Sequence, residues 1–285
     1  MAADYPIAVT DQASKRIIVL DSDTTNILWE WSPEGEDGSE TPGWGLPSDV
    51  KLRDHESYGG LCLVVTDSYG LAAIVPYSSR KTMSWSLVVG GNPHAAELLP
   101  DGNLAVAASD GGWVRVYTSS QGSNSTAYAE FPLPGAHGVL WDPERKLLWA
   151  VGDDRLAAFS VGGAPHAPVL SRVQEKKLPT LWGHDLSPVF GDTDLLWVTT
   201  NSGVYQYKKS TGTWSSRYPG SEQANRGFVK SMGNQPTGAI IQTVPKEGAL
   251  YAWGTDTADL FLPDRKLVLP ETSVYKARIW SPHYQ

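Results

Sequence analysis

Residues 94–117 read HAAELLPDGNLAVAASDGGWVRVY and contain three short runs that each have the composition of a β-strand. The first run ends at Pro100-Asp101-Gly102, and the second ends at Asp110, which two glycines follow. Pro, Gly and Asp between runs of alternating apolar residues are typical of tight turns in antiparallel sheets. A fourth and more variable run follows, so this stretch predicts one four-stranded antiparallel unit.

The second strand of this unit recurs along the chain. Neighbouring copies are about 40 to 55 residues apart, which is close to the period of a β-propeller blade. We expect the residue that ends each copy to cap the following turn through an Asx hydrogen bond, rather than to act in catalysis. These six residues are Asp11, Asp67, Asp110, Asp153, Asn201 and Asp256.

The two ends of the chain complete each other. The strand that ends at Asp11 has no inner strand before it, and residues 274–280 form a strand with no blade after it. Pairing the two closes a ring and removes exposed sheet edges. The sequence therefore predicts an all-β fold, with residues 1–285 as one six-bladed β-propeller of four-stranded blades. The Gly-, Pro-, Ser- and Glu-containing stretches 32–48 and 219–236 are expected to be long connections without strands.

Composition excludes several classes of function. The chain has 23 Lys and Arg against 31 Asp and Glu, and its net charge of −8 disfavours nucleic acid and anionic membranes as partners. Cys62 is the single cysteine, so neither an intrachain disulfide nor a cysteine-based zinc site can form. No Walker A loop, dinucleotide fingerprint, Gly-x-Ser-x-Gly or His-Glu-x-x-His pattern occurs, which disfavours nucleotide hydrolysis and hydride transfer.

The segment from Asn92 to Gly102 resembles the Pro-Asn-Gly…Pro-Asp-Gly strand of six-bladed propellers in the gluconolactonase and strictosidine-synthase-like superfamily. The resemblance extends more loosely over the other repeats. It implies a six-bladed propeller in which an Asn near the start of an innermost strand helps to hold a metal in the central channel. In this chain His94 occupies the corresponding place.

The residue that opens each innermost strand should point into the central funnel of the ring. Counting back 16 or 17 residues from the turn residue locates His94, His137 and His184, and the same step from Asp67 locates Lys51. Imidazoles serve as metal ligands or as acid and base near neutral pH, whereas Lys and Arg favour a bound carboxylate or phosphate. The predicted funnel set is His94, His137, His184, Lys51, Gln242 and either Lys276 or Arg278.

The two long connections are expected to reach the same face as the funnel, where loops on a rigid scaffold commonly carry binding groups. Trp44 of the first connection is expected to stack on a sugar ring. Arg226 and Lys230 of the second are expected to bind an acidic group of the substrate.

We interpret the funnel as the site of an enzyme that acts on an anionic small molecule or an acidic sugar. Lyase chemistry is preferred: Lys, Arg or a metal would stabilise the enolate-like charge on a carboxylate while a histidine removes the α-proton. The set of His94, His137, His184 and Gln242 is similar in this one respect to oligogalacturonate lyases, and that resemblance implies a divalent metal ion as cofactor, held by the three histidines. A metal-dependent hydrolase or lactonase, and a noncatalytic propeller that binds carbohydrate or protein, are the alternatives.

Compartment and assembly are less well specified by the sequence. No apolar run approaches the roughly 20 residues that span a bilayer, so we expect no membrane partner. The first residues lack the features of a signal peptide, which fits an intracellular protein or a mature secreted one. The sequon Asn124-Ser125-Thr126 and the many Trp and Tyr residues favour the secreted form. A closed ring has no free sheet edge, and a monomer is expected.

Overall fold

The computed structural model describes residues 3–34, 39–77 and 82–283, and these form six four-stranded antiparallel sheets. Blade 1 consists of β24 (Val274–Ile279), β1 (Ile7–Asp11), β2 (Arg16–Leu20) and β3 (Ile27–Trp31). Blade 2 consists of β4 (Pro47–His55), β5 (Gly60–Asp67), β6 (Leu71–Pro76) and β7 (Trp85–Val88). Blade 3 consists of β8 (Pro93–Leu98), β9 (Leu104–Ala108), β10 (Trp113–Tyr117) and β11 (Tyr128–Pro132).

The remaining three blades have the same order, with the innermost strand first in sequence. Blade 4 consists of β12 (Gly138–Asp142), β13 (Leu147–Val151), β14 (Arg155–Ala164) and β15 (Ala167–Lys177). Blade 5 consists of β16 (Gly183–Val189), β17 (Asp192–Thr200), β18 (Val204–Lys208) and β19 (Thr213–Ser215). Blade 6 consists of β20 (Ser231–Asn234), β21 (Ile240–Thr243), β22 (Thr257–Phe261) and β23 (Arg265–Val268).

The innermost strands form the ring. They contact each other in the order β24, β4, β8, β12, β16 and β20, and β20 contacts β24 again. Helical structure in the described ranges is limited to α1 (Ser221–Ala224) and the 3₁₀ turns Glu56–Tyr58 and Ser119–Gln121. No helix in these ranges is long and apolar enough to cross a membrane. The predicted six-bladed β-propeller is confirmed.

The apolar run of β5 shows how sequence periodicity builds the ring. Leu63 and Val65 pack in a cluster with residues of blade 1, whereas Cys62 and Val64 pack in a cluster with residues of blade 3. Successive side chains of a strand point to opposite faces of the sheet. Both faces of a blade pack against neighbouring blades, so its buried strands are apolar at every position. Burial raises the pKa of Cys62 to about 12, which keeps its thiol protonated and inert.

The ring closes as the ends of the sequence predicted. Strand β24 pairs antiparallel with β1, and the Trp280 amide donates to the Pro6 carbonyl beyond the end of the ladder. All six residues of β24 are buried. The hydrophobic cluster between blades 1 and 6 includes Val274, Ala277 and Ile279, so the last strand is needed to complete both blade 1 and its interface.

The expectation that residues 219–236 contain no strand is wrong. This stretch contains α1 and then β20, the innermost strand of blade 6. The sequence of β20, Ser-Met-Gly-Asn, has no β-branched residue and one glycine, so propensity gives no strand signal there. Its four residues are all buried, and tertiary packing therefore decides their conformation.

The turn-capping role predicted for the repeated Asp is seen at two blades. Asp11 accepts hydrogen bonds from the backbone amides of Ala13 and Ser14 at 3.1 and 3.2 Å. Asp67 accepts from the amides of Tyr69 and Gly45, each at 2.8 Å. In both turns the carboxylate satisfies backbone donors that the sheet leaves without partners.

We expect a chain that ends at Ser273 to lose cooperative unfolding, because the edge of β1 and the core between blades 1 and 6 become exposed. A chain that ends at Pro282 keeps β24 and is expected to unfold like the full chain. Thermal unfolding followed by near-ultraviolet circular dichroism compares the two. Cooperative unfolding of the shorter chain at an unchanged Tm would contradict this role of β24.

Candidate functional site

Three of the predicted residues, His94, His137 and His184, lie together at one end of the central channel. The rings of His94 and His137 stack with centroids 4.4 Å apart and planes inclined by 14°. The rings of His137 and His184 meet edge to face with centroids 5.3 Å apart. The structure thus brings the histidines of blades 3, 4 and 5 into one continuous contact.

Irregular strand starts turn these side chains toward the axis. Pro93 pairs with Ala108 while Ala95 pairs with Ala107, which leaves His94 as the extra residue of a β-bulge. His184 is the extra residue between Gly183 and Asp185 in the same way. Bulges re-aim a side chain at the rim of a sheet, and here they direct it into the funnel. His137 immediately precedes β12, and its amide donates to Val151 O at 2.9 Å.

Lys230 occupies the corresponding place in blade 6. Its amide donates to Thr243 O at 2.9 Å, as that of His137 does to Val151 O, and its ammonium Nζ lies 3.2 Å from His184 Nε2. We call His94, His137, His184 and Lys230 the histidine cluster. Lys230 is one of the predicted binding residues, but it lies at the start of a strand and not in a loop, and the sequence of β20 carries no recognisable strand pattern.

Gln242 does not join the cluster. It lies on β21, the second strand of blade 6, where its Nε2 donates to Ala224 O at 2.6 Å and its Oε1 accepts from Arg226 Nε. The prediction took residues 239–242 as the innermost strand of blade 6 and a second strand ending at Asp256, and both assignments are wrong: residues 240–243 are the second strand, and Asp256 directly precedes the third strand, β22. The innermost strand is β20, so the funnel position is that of Lys230.

Lys51, Lys276 and Arg278 lie deeper in the channel, where carboxylates neutralise them. The Arg278 guanidinium donates to Asp185 at 2.6 and 2.7 Å and to Asp49 at 2.7 Å. Strand pairing explains why Lys51 lies deeper than the histidines. Pro47 pairs with Asp67 in the way that Pro93 pairs with Ala108, so Ser48 is the residue equivalent to His94, and Lys51 lies three residues further along the strand. The channel network comprises Lys51, Arg53, Lys276 and Arg278 with Asp49, Glu97 and Asp185.

The two lysines of this network also bond to backbone carbonyls. Lys51 Nζ donates to Ala96 O and Val139 O, each at 2.7 Å. Lys276 Nζ donates to His94 O at 3.0 Å, directly beneath the histidine cluster. Both side chains are therefore fixed parts of the channel interior, and neither presents a free ammonium group to a substrate.

Trp44 and Arg226, two further predicted binding residues, lie away from the cluster. Trp44 is 6% exposed, donates its indole hydrogen to Lys15 O and packs edge-on against Trp31. Arg226 forms an ion pair with Asp259 in addition to its bond to Gln242. Trp44 therefore belongs to the hydrophobic core between blades 1 and 2. Arg226 is bound to a carboxylate of blade 6.

Burial keeps the histidines of the cluster uncharged. Desolvation lowers the pKa of His137 to about 4 and that of His184 to about 3, and it holds the pKa of His94 well below its ordinary value. The nearby ammonium groups of Lys230 and Lys276 lower all three further. Burial also lowers the pKa of Lys230 to about 8. At pH 7 neutral imidazoles therefore contact a lysine that is close to its own titration.

Hydrogen bonds distinguish the three imidazoles. His137 Nδ1 lies 2.8 Å from Gly135 O, so it carries the proton and leaves Nε2 as the basic nitrogen. His184 Nε2 lies 2.5 Å from Asn201 Oδ1 and also contacts Lys230, and it cannot donate to the first while accepting from the second. His94 Nδ1 is buried and has no hydrogen-bond partner among the described residues.

Asn201 is a functional candidate that the sequence analysis missed, because it was interpreted only as a turn cap. Its side chain contacts His184 instead of the backbone of its own turn. The available signal was residue type, since Asn201 is the one amide among six repeat positions that otherwise carry Asp. An amide both donates and accepts, so it can match either tautomer of His184.

The geometry of the cluster does not match the predicted metal site. Within the described ranges, no group of three or more His, Cys, Asp or Glu side chains is placed to hold a metal ion. The lone pairs of imidazole nitrogens lie in the ring plane, so the stacked rings of His94 and His137 cannot aim theirs at one ion.

An open cavity of about 570 Å³ lies beside His94. Its aromatic lining comes from Tyr69, Trp253 and Tyr275, and its polar lining includes Gln12, Asn92 and Asp110. The volume lies in the range that is typical of small-molecule sites. His137, His184 and Lys230 continue from His94 around the axis, so the cavity adjoins the cluster at His94.

The comparisons with known proteins give a family and a fold. The model of a family of unknown function (DUF6528) matches residues 3–257. The chain belongs to this family. No curated protein sequence matches it. The six-bladed fold implied by the resemblance of residues 92–102 is confirmed, and the superfamily itself stays a prediction.

Several solved structures are similar over most of the chain. A protein of unknown function from Bacteroides caccae is 14% identical with a TM-score of 0.60, and 90% of each chain is covered. A protein from Lactobacillus plantarum is 13% identical with a TM-score of 0.57, covering 98% of this chain and 100% of that one. Virginiamycin B lyase from Staphylococcus aureus is 12% identical with a TM-score of 0.50, covering 79% and 70%. At these identities the likeness shows the fold alone.

We expect Asp185→Asn to destabilise the protein by about 3–5 kcal/mol, because it removes the negative charge that Arg278 and Lys276 share and leaves these two buried cations against Asp49. Glu175→Gln is the control, since its pairs with Arg155 and Arg172 are exposed and should contribute less than about 1 kcal/mol. Urea unfolding at pH 7 measures both. Equal losses in the two variants would contradict a structural role for the channel network.

We expect stability to fall as the pH decreases below about 6.5, the ordinary histidine pKa, toward the folded values of about 3 and 4. Between these pH values the two histidines bind protons in the unfolded chain but stay neutral in the folded chain. The free energy of unfolding therefore falls by about 1 kcal/mol or more per histidine. Unfolding free energies at pH 7 and 4.5 measure the effect. The difference in unfolding free energy between pH 7 and 4.5 should be smaller in the double variant His137→Asn/His184→Asn. It should be unchanged in His166→Asn, whose side chain is exposed.

Proposed function

We propose that the histidine cluster is the active site of a lyase that removes the proton next to the carboxylate of an anionic small molecule or acidic sugar. One observation carries this proposal: three neutral imidazoles share a channel mouth with the partly buried ammonium of Lys230. Neutral imidazole supplies a base, and an ammonium group stabilises the charge that develops on a carboxylate when its α-proton leaves.

Lys230 is the group best placed to bind the substrate carboxylate. The other buried cations near the axis each form an ion pair with at least one of three carboxylates, whereas the ammonium of Lys230 has the uncharged His184 as its neighbour. Four cations against three carboxylates leave the channel beneath with an excess positive charge. An anion at the mouth is therefore attracted by the axis although the whole chain is acidic.

His137 is the group best placed to act as the base. The Gly135 carbonyl holds its Nδ1 proton, so its Nε2 lone pair is free and its ring is fixed in orientation. A carboxylate bound at Lys230 would raise the pKa of His137, since an adjacent negative charge favours imidazolium. Binding of the anion thus strengthens the base that acts on it.

The proposed reaction balances within the site. The α-proton passes to His137 Nε2, the electrons of the C–H bond form a C=C bond, and the bond to the leaving oxygen in the β position breaks. The imidazolium then returns its proton to the leaving oxygen. The enolate-like charge that forms on the carboxylate is stabilised by Lys230. Virginiamycin B lyase, a lyase of similar fold, lends support at the level of fold only.

We expect Lys230→Met to abolish turnover and Lys230→Arg to retain part of it, because only the second keeps a cation at the mouth. Arg226→Met is the matched control, since Arg226 pairs with Asp259 away from the cluster. His137→Gln should lower kcat by about 10²–10⁴-fold. A panel of uronates and β-substituted carboxylates, followed by the ultraviolet absorbance of the new conjugated double bond, provides the assay.

The pH profile gives a separate check. Activity requires neutral His137 and protonated Lys230, so kcat/KM should form a plateau between limbs near pH 4 and pH 8. In Lys230→Arg the alkaline limb should move above pH 8. Binding of the panel without a new double bond, or hydrolysis products in its place, would overturn the lyase assignment.

A further inference from the structure

The cavity beside His94 contains two aromatic side chains that are both exposed and held in place. Tyr69 comes from blade 2 and is 63% exposed, and Trp253 comes from the β21–β22 connection of blade 6 and is 42% exposed. Blade 1 lies between these two blades in the ring. Two exposed aromatic rings on one cavity are unusual for a surface that only faces water.

The ring of Tyr69 lies directly against Gly45. A Cβ added to Gly45 would lie 2.6 and 2.7 Å from two carbons of the Tyr69 ring, closer than real contacts allow. The Asp67 carboxylate accepts from the amides of both residues and so fixes their separation. Gly45 therefore leaves the space that the Tyr69 ring occupies at the edge of the cavity.

Trp253 is immobilised from two sides. Tyr251 stacks on it with centroids 5.4 Å apart and planes inclined by 4°, and its indole nitrogen donates to Gln12 Oε1 at 2.8 Å. One face of the indole is thus covered and its edge is bonded, while the side chain still lines the cavity. A fixed aromatic face loses little conformational entropy when a ligand stacks on it.

Hydrogen-bonding groups lie between the aromatic rings and the cluster. Asn92 and Asp110 line the cavity, and their side chains bond to each other at 3.2 Å. His94 Nδ1, on a side chain that is 8% exposed, has no hydrogen-bond partner among the described residues. An unsatisfied buried nitrogen costs free energy unless a ligand or water satisfies it.

We infer that this cavity is a subsite for a pyranose ring, joined to the acidic residue whose carboxylate is bound at Lys230. The C–H face of a sugar packs on tryptophan and tyrosine, and its hydroxyl groups match the side chains of Asn92 and Asp110. The inference rests on the proposed function, and it narrows the substrate class to oligosaccharides that contain a uronic acid.

The test compares monosaccharides with disaccharides. Galacturonate, glucuronate, digalacturonate and a glucuronate-containing disaccharide are titrated calorimetrically into the full chain carrying His137→Gln, which slows turnover. We expect at least one disaccharide to bind about tenfold or more tightly than its monosaccharide, which corresponds to about 1.4 kcal/mol of added contact. Trp253→Ala or Gly45→Ala should remove that gain and leave the monosaccharide Kd unchanged.

Matched variants separate stacking from general damage. Tyr128→Ala removes an exposed tyrosine of β11 outside the cavity lining, and Gly162→Ala adds a methyl group into open space. Both should leave the tenfold gain intact. Trp253→Phe keeps an aromatic face and should retain part of it.

The outcomes distinguish the two claims. Equal Kd values for mono- and disaccharides, with monosaccharide binding still weakened by Lys230→Met, would overturn the subsite and leave the proposed function standing. Disaccharide binding that depends on Trp253 but not on Lys230 would overturn the proposed function and support the cavity as a sugar site. Absence of binding by all four probes would overturn both.

Discussion

The pairing of Arg278 with Asp185 and Asp49 is the interaction on which the rest of the structure depends. Arg278 lies on β24, the last strand in sequence, and its two partners lie on the innermost strands of blades 5 and 2. One guanidinium therefore connects three blades across the axis. Isolated charges at this depth would be very costly, so every ion here requires its partners in the closed ring.

The network also determines which end of the channel can react. Salt bridges and lysine–carbonyl hydrogen bonds fill the lower part of the axis, and a space of only about 20 Å³ remains beside Lys51 and Arg278. Reactive groups are consequently concentrated above it, where the histidine cluster borders the 570 Å³ cavity. Burial keeps the imidazoles neutral, and Lys276 of the channel network lowers their pKa further, so the network contributes to the chemistry of the mouth.

The residue at the start of the innermost strand has different roles in different blades. The residues at or just before the start of the innermost strands are Tyr275, Ser48, His94, His137, His184 and Lys230 for blades 1 to 6. Ser48 donates to the carbonyl of Pro93 and serves the framework, whereas His137 and Lys230 lie at the mouth. Equivalent backbone positions on a rigid ring thus allow side chains to diverge without a change of fold.

The sequence by itself determined the ring: five of the six strand–turn repeats, the alternation that buries both faces of the inner strands, and ends that complete one blade. It also located the three histidines, because the start of their innermost strands lies a nearly constant number of residues before the turn residue. Only the tertiary structure decided which charges are free. Lys51, Lys276 and Arg278 meet Asp49, Glu97 and Asp185 across the axis, and those carboxylates carry no repeat signal. The longer strands β4 and β5 and the hidden strand β20 likewise shifted the positions predicted for Lys51 and Gln242. Ion pairing and strand register depend on residues distant in sequence, so a local pattern cannot specify them.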